Sequence, residues 1–182
     1  MVNIYLPKLT NLQQGILRLL FVKAGTSLNQ RRMASLLNVT PPAIMKATPK
    51  LGKEELISIK QDEESKRWSI ELNRENYKVF QLKRVDNLEQ IYGCGLVEFL
   101  EKEFAGATII LFGSYSRGDD TFTSDIDIAI IGRKEKKINL TKFDKILERK
   151  IFLNFYSSFK DIHKHLKENI FNGIVLIGGV EL

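Results

Sequence analysis

The sequence has 182 residues, enough for one large domain or two small ones, and its 43% hydrophobic and 27% charged residues are typical of a globular protein. No apolar run reaches the roughly 18 residues of a membrane span, no signal-peptide pattern opens the chain, and the single cysteine, Cys94, excludes an internal disulfide. We therefore expect a cytoplasmic protein with no membrane partner. Of the net charge of +6, residues 1–75 carry +5 and residues 76–182 carry +1, so any nucleic-acid contact is expected in the first part.

The first part of the chain shows a helical pattern followed by a hairpin pattern. Hydrophobic spacing predicts helices over 9–23, 27–38 and 41–51 and hairpin strands over 56–60 and 67–72. Pro41 and Pro42 suit the first turn of the third helix, whereas Pro49 is expected to end or kink it. This order of elements resembles a winged helix-turn-helix over residues 8–73, which is a mainly α domain.

Basic residues of this first part are candidates for contact with DNA. They are Arg31 and Arg32 on the second helix, Lys46 and Lys50 on the third, and Lys66 and Arg67 at the hairpin. In a winged helix such residues reach phosphates and base edges. However, the third helix is apolar for a reading helix, and acids occupy the tip of the hairpin. Docking of a protein partner therefore stays open beside DNA binding.

The rest of the chain alternates between helical and strand patterns. Helices are predicted within 75–104, over 114–118, 140–149 and 159–172, and strands over 108–112, 125–131, 151–157 and 174–177. This alternation predicts an α/β (α+β) domain with a small mixed sheet. We place the domains at 1–75, 76–93 (a connecting helix) and 94–182. His163 and His165, two apart on the last helix, are expected to diverge.

Two carboxylates and a glycine-serine turn form the strongest chemical pattern. Asp125 and Asp127, two apart on a predicted strand, project from one face, where like charges repel unless a cation lies between them. Magnesium prefers such carboxylate oxygens and readily takes a triphosphate as its remaining ligand. Gly113 and Ser114 end the preceding strand, where a glycine lets phosphate approach the backbone. Arg117 follows within one helical turn, where it could reach the same phosphates.

The spacing of these residues resembles the signature of the DNA polymerase beta superfamily of nucleotidyltransferases, above all its minimal members. The matching residues are Gly113, Ser114, Gly118, Ser124, Asp125 and Asp127. The resemblance implies Mg²⁺ (or Mn²⁺) held by the two aspartates, and an NTP bound by Gly113, Ser114, Arg117 and Ser124. It also implies transfer of a nucleoside monophosphate to a hydroxyl of a protein or nucleic acid.

One residue of the implied site is missing. The family's third acid lies on the strand after the next helix, and residues 151–157 contain no acid; Asn154 is the nearest replacement as a metal ligand. A neutral amide would hold a second metal more weakly. The sequence therefore leaves two functions open. The first is a nucleotidyltransferase, and the alternative is a nucleotide-sensing DNA-binding regulator or antitoxin with weak or no turnover. The acceptor, the preferred NTP and a homo-oligomeric state are left open.

Overall fold

The computed structural model describes residues 9–61, 63 and 67–180, and the chain divides into two compact units between Val79 and Phe80. No helix among these described residues is both long and apolar enough to cross a membrane. The predicted domain boundaries at 75/76 and 93/94 stay a prediction. The two units are described separately below.

The first unit is mainly helical and ends in a hairpin. Its elements are α1 (Asn11–Val22), α2 (Gln30–Leu36), α3 (Pro41–Lys53), β1 (Ile57–Gln61) and β2 (Trp68–Leu72). Thr10 begins α1 with a capping box, since the Gln13 N–H donates to Thr10 Oγ1 and the Thr10 N–H donates to Gln13 Oε1. Leu28 and Ile70 exchange two backbone hydrogen bonds of 2.8 and 2.9 Å, which form an isolated antiparallel bridge beside the hairpin. The fully buried core includes Ile16, Leu20, Met33, Ile44, Leu51 and Leu56.

The third helix does not end at Pro49. It continues to Lys53, with Pro49 inside it. A proline removes the donor for the carbonyl four residues earlier, here that of Met45. Both Pro49 and Met45 are exposed, so water can take the place of the lost N–H donor, and the helix continues.

The second unit has the expected mixed α/β architecture. Its helices are the part of α4 (Tyr77–Gly93) from Phe80 onward, α5 (Leu96–Glu103), α6 (Gly113–Arg117), α7 (Thr141–Leu147) and α8 (Lys164–Phe171). Its strands are β3 (Thr108–Phe112), β4 (Ile126–Ile131), β5 (Ile151–Tyr156) and β6 (Ile174–Ile177). The sheet order is β5-β4-β3-β6, with β4 and β5 parallel and β3 antiparallel to β4 and β6. The fold class predicted from the sequence is confirmed.

Strand β4 divides its side chains between two cores. Ile126, Ile128 and Ile130 are fully buried on one face of the sheet, within the cluster that includes helices α5 and α7. Ala129 and Ile131 lie in a smaller cluster on the other face. Since side chains alternate along a strand, Asp127 shares this second face. The packing of the three isoleucines therefore holds β4 in place, and the Asp127 side chain projects from the opposite face of the sheet.

The last predicted helix is interrupted. A 3-10 turn spans Phe159–Asp161, and α8 begins only at Lys164, because the buried Ile162 has an extended backbone. His163 lies at the N-cap position, just outside α8, so its ring can turn toward His165. The two rings are nearly parallel with centroids 5.7 Å apart. The prediction that they diverge was wrong.

Candidate functional site

The two aspartates of the sequence pattern lie at the start of β4. Asp125 is exposed and immediately precedes the strand, whereas Asp127 is its second residue and is half-buried. In the sheet register Asp127 lies opposite Phe112 of β3 and beside Phe152 of β5. Of the pair, only Asp127 therefore bears a substantial cost of burial.

The electrostatics of Asp127 favour a partner of positive charge. Burial raises the pKa of Asp127 above its usual value, and the negative charge of Asp125 raises it further. Both causes act against the charged form of the carboxylate. A divalent cation bound between the two side chains would remove the repulsion and replace the lost hydration, so the donor set fits Mg²⁺ or Mn²⁺.

Gly113 brings the end of β3 directly against this carboxylate. Its φ is +75°, a left-handed conformation that favours glycine, and a Cβ there would lie 2.5 Å from Asp127 Oδ2. Ser114 follows as the second residue of α6 and is half-buried. The absence of a side chain at position 113 therefore lets the carboxylate and the strand end share one small space.

The two other predicted nucleotide-binding residues have local partners. Arg117 is exposed, and its Nε donates to Asp119 Oδ2 at 3.1 Å. Ser124 Oγ accepts from the Thr121 N–H at 2.9 Å and so closes the turn that leads into Asp125. In the protein alone, Ser124 thus positions Asp125. The nucleotide-binding roles of both residues stay predictions.

Strand β5 presents no acid beside Asp127. Phe152 and Asn154 share the face of Asp127, because Phe152 pairs with Asp127 and Asn154 pairs with Ala129. Phe152 is 52% exposed. Within the part of the chain that the structure describes, no group of three or more His, Cys, Asp or Glu side chains could hold a metal ion. Phe152, rather than Asn154, therefore occupies the position level with Asp127; the metal role of Asn154 stays a prediction.

A buried ionic network behind the site was not predicted. Lys83, Asn87, Asp120 and Arg149 are almost completely buried. Asp120 Oδ1 accepts from Lys83 Nζ and, at 2.8 Å, from Asn87 Nδ2, while Arg149 Nη2 lies 3.6 Å from Asp120 Oδ2. Two cations therefore share one carboxylate. Burial lowers the pKa of Lys83, and the attraction of Asp120 offsets part of that effect.

This network connects α4, the helix that precedes the sheet, to α6. Asn87 Nδ2 also donates to the Tyr115 carbonyl at 2.9 Å, which anchors α6. Gly118, with φ of +82°, packs so closely on α4 that a Cβ would overlap the Phe80 carbonyl oxygen. No local sequence pattern indicates this network, because Lys83 and Asn87, four residues apart on a helix, resemble an ordinary solvated face.

A cavity of 440 Å³ opens beside Asp125. Its lining comes from residues 122–125, helix α7 and residues 148–150. Three acids and three bases face it, and Lys150 Nζ is paired with Asp144 Oδ2 at 2.8 Å. Arg149 belongs both to this lining and to the buried network, so the network borders the space next to the aspartates.

The predicted DNA-binding residues lie in the first unit. Arg31 and Arg32 are exposed in the first turn of α2, where the Arg32 N–H donates to the Asn29 cap at 2.8 Å. Lys46 and Lys50 are exposed on α3, and Arg67 is exposed just before β2. Lys66 lies outside the described residues. The DNA-binding roles stay predictions.

Comparisons with known proteins found similarity to a family model and to solved structures. Residues 94–177 match the family model described as a nucleotidyltransferase domain. Among solved structures, the chain is similar to a mutant form of Lactococcus lactis ZitR (22% identity, TM-score 0.42, 58% of this chain and 68% of that chain). It is also similar to the S. aureus MepR–DNA complex (22% identity, TM-score 0.33, 52% of this chain and 81% of that chain). No curated protein matches. The matched domain contains every residue of the glycine-serine and aspartate pattern.

Proposed function

We propose that the second unit is a divalent-cation-dependent nucleotidyltransferase that moves a nucleoside monophosphate from an NTP to a hydroxyl group. The observation that carries this proposal is the contact of Gly113 with Asp127. It brings the end of β3, with Ser114, to the two aspartates at the start of β4. The match of residues 94–177 to the nucleotidyltransferase domain supports the same assignment.

Asp125 and Asp127 are the residues that would hold Mg²⁺ or Mn²⁺. Their fit rests on the raised pKa of Asp127, since a cation relieves both its burial and its repulsion by Asp125. When bound, the cation supplies charge neutralisation for the triphosphate and orients it for displacement at the α-phosphorus. Phosphate oxygens of the NTP, together with water, would complete the ligands of Mg²⁺, because no group of three or more acidic, His or Cys side chains that could hold a metal is found among the described residues.

The other residues of the site would bind and position the substrates. Gly113 leaves its backbone accessible, the Ser114 hydroxyl can donate to a phosphate oxygen, and Arg117 can exchange Asp119 for a phosphate. The acceptor hydroxyl releases its proton to water and its oxygen bonds to the α-phosphorus, while the bond from that phosphorus to the β-phosphate oxygen breaks and pyrophosphate leaves. The cavity beside Asp125 offers room for the acceptor hydroxyl.

The first unit is proposed to recruit DNA or a protein acceptor. The net charge of +5 on residues 1–75 and the exposed bases on α2 and α3 support contact with phosphates. This role does not depend on catalysis. It would serve a transferase and a regulator equally well.

One observation favours a second candidate function. On the face of Asp127, β5 carries Phe152, Asn154 and Tyr156 and therefore no third carboxylate. A site with two carboxylates can bind a metal–nucleotide complex yet lack the second metal that activates the acceptor. The protein would then be a nucleotide-sensing DNA-binding regulator.

Incubation of the full chain with each α-labelled NTP, Mg²⁺, and RNA and protein acceptors tests these proposals. Labelled product with the wild type and none with Asp125→Asn/Asp127→Asn supports the transferase. Cation-dependent NTP binding without product, together with a nucleotide effect on DNA affinity, supports the regulator. The absence of both NTP binding and transfer would contradict the two proposals together.

A further inference from the structure

A second cavity lies at the opposite end of the same sheet from the aspartates. It has a volume of 960 Å³, within the range of small-molecule sites. Strand β4 runs from Asp127 near its start to Ile131 at its end, where Ile131 pairs with Thr108, the first residue of β3. Both Ile131 and Thr108 line the cavity. The length of the sheet therefore separates this space from the candidate catalytic residues.

Glycines keep this end of the sheet open. Gly132 follows β4 with φ of +86°, and a Cβ there would meet nothing within 4 Å. Gly178 follows β6 with φ of +79°, and a Cβ there would lie 2.9 Å from Thr108 Oγ1. At these two strand ends the chain turns without side chains that would fill the space. A ligand can therefore approach the backbone closely.

The lining combines positive charge with an aromatic surface. Lys160 and Lys167 line the cavity, and Glu101 is the one acid among the described residues that line it. The rings of Phe159 and Phe171 pack with centroids 5.8 Å apart, and Lys167 Nζ lies 5.7 Å from the Phe171 centroid. The end of the sheet that carries Asp125 and Asp127, here called the carboxylate end, needs a cation before it can bind a phosphate. This end offers ammonium groups directly, beside a surface for a planar ring.

We propose that this cavity is a second ligand site that binds a nucleoside phosphate without a divalent cation. The phosphate lies between Lys160 and Lys167, and the base packs against Phe159 and Phe171. Binding here does not depend on Asp125 and Asp127, so the proposal does not rest on the transferase activity.

Equilibrium dialysis of radiolabelled AMP against the full-length protein in EDTA tests the proposal. We expect saturable binding that weakens at least tenfold in Lys160→Gln/Lys167→Gln. Asp125→Asn/Asp127→Asn should bind AMP as the wild type does. The matched control, Lys134→Gln/Lys164→Gln, removes the same charge from exposed positions outside the lining and should also retain binding.

A second variant separates the base from the phosphate. Phe171→Ala should weaken the binding of AMP. The affinity of inorganic phosphate, measured by its competition with AMP, should stay unchanged. The proposal is overturned by an absence of saturable AMP binding in EDTA. It is equally overturned if AMP binding survives in the lysine variant and disappears in the aspartate variant, because AMP would then occupy the carboxylate end.

Discussion

Asp127 Oδ2 lies so near Gly113 that a Cβ at position 113 would be 2.5 Å from this oxygen. The glycine is thus required twice, by this contact and by its φ of +75°. Packing of Ile126 and Ile128 on the other face holds β4, so Asp127 has little freedom to withdraw. The turn and the carboxylate form one geometric unit.

Gly113→Ala should damage binding and stability together. A left-handed alanine costs about 1–2 kcal/mol, and the new methyl group displaces the Asp127 carboxylate. We expect Mg²⁺-dependent NTP affinity, measured by calorimetry, to fall at least tenfold. Gly93→Ala is the matched control, because its Cβ meets nothing within 4 Å and its φ is not positive. Equal losses in both variants would contradict the role of Gly113.

Asp125→Asn/Asp127→Asn should abolish Mg²⁺-dependent NTP binding and leave the fold intact. The stability of the protein without metal should stay equal or rise, because the variant removes a repulsion and a buried charge. Calorimetric titration with Mg–ATP measures the first effect and thermal unfolding the second. Unchanged Mg–ATP affinity would refute the assignment of the metal ligands.

The pH dependence of unfolding provides an independent check on the same pair. The pKa of Asp127 is higher in the folded than in the unfolded protein, so folding takes up a proton as the pH falls. Between the folded and the unfolded pKa of Asp127, lowering the pH therefore increases the stability of the folded protein. In Asp125→Asn/Asp127→Asn this increase in stability with decreasing pH should be absent.

Local patterns predicted the elements that carry the site but not their partners. The run from Thr108 to Phe112 is a strand both in the prediction and in the structure, because a short apolar segment before a glycine has few alternatives. The neighbour of Asp127 on β5 depends on register between strands, which no local pattern contains. The ion pair of Lys83 was missed because its partner, Asp120, lies 37 residues away. Contacts between distant residues, rather than propensity, account for both omissions.

Asp120→Asn should destabilise the second unit by about 3–5 kcal/mol, because it removes the buried carboxylate that pairs with both Lys83 and Arg149. Lys83→Met should cost less, since Asp120 keeps Arg149 and the lowered pKa of Lys83 shows that burial outweighs its attraction to Asp120. Urea unfolding followed by circular dichroism measures both variants.

Two controls localise this effect. Asp119→Asn removes a partly exposed ion pair with Arg117 and should change stability by no more than about 1 kcal/mol. The single tryptophan, Trp68, lies in the first unit, so its fluorescence reports whether that unit is affected. A loss for Asp120→Asn no larger than that for Asp119→Asn would show that the buried network contributes little.

DNA binding by the first unit should depend steeply on salt, because each neutralised phosphate releases counterions. Lys46→Ala, Lys50→Ala and Arg67→Ala should each weaken binding and reduce the slope of log affinity against log salt by about 1. Fluorescence anisotropy on genomic fragments, including the protein's own promoter, measures this. Absence of binding at about 50 mM salt would favour a protein-docking role instead.

A carboxylate placed on β5 should decide between the two proposed functions. Phe152 is level with Asp127 and half exposed, whereas Asn154 lies about 6.6 Å further along the strand. With Mn²⁺ and a non-hydrolysable NTP, Phe152→Asp should therefore raise the number of bound ions from one to two. Electron paramagnetic resonance counts them. Any transfer rate should rise at least tenfold, which requires only about 1.4 kcal/mol of transition-state stabilisation.

Asn154→Asp is the matched variant, with the same added charge two residues further along β5. It should have the smaller effect on both metal count and rate. A larger gain in Asn154→Asp would show that the amide position, not the register partner of Asp127, completes the site. If neither variant binds a second ion or accelerates transfer, β5 cannot supply the missing ligand. The two aspartates would then act on nucleotide binding alone, which is what a nucleotide-sensing regulator requires.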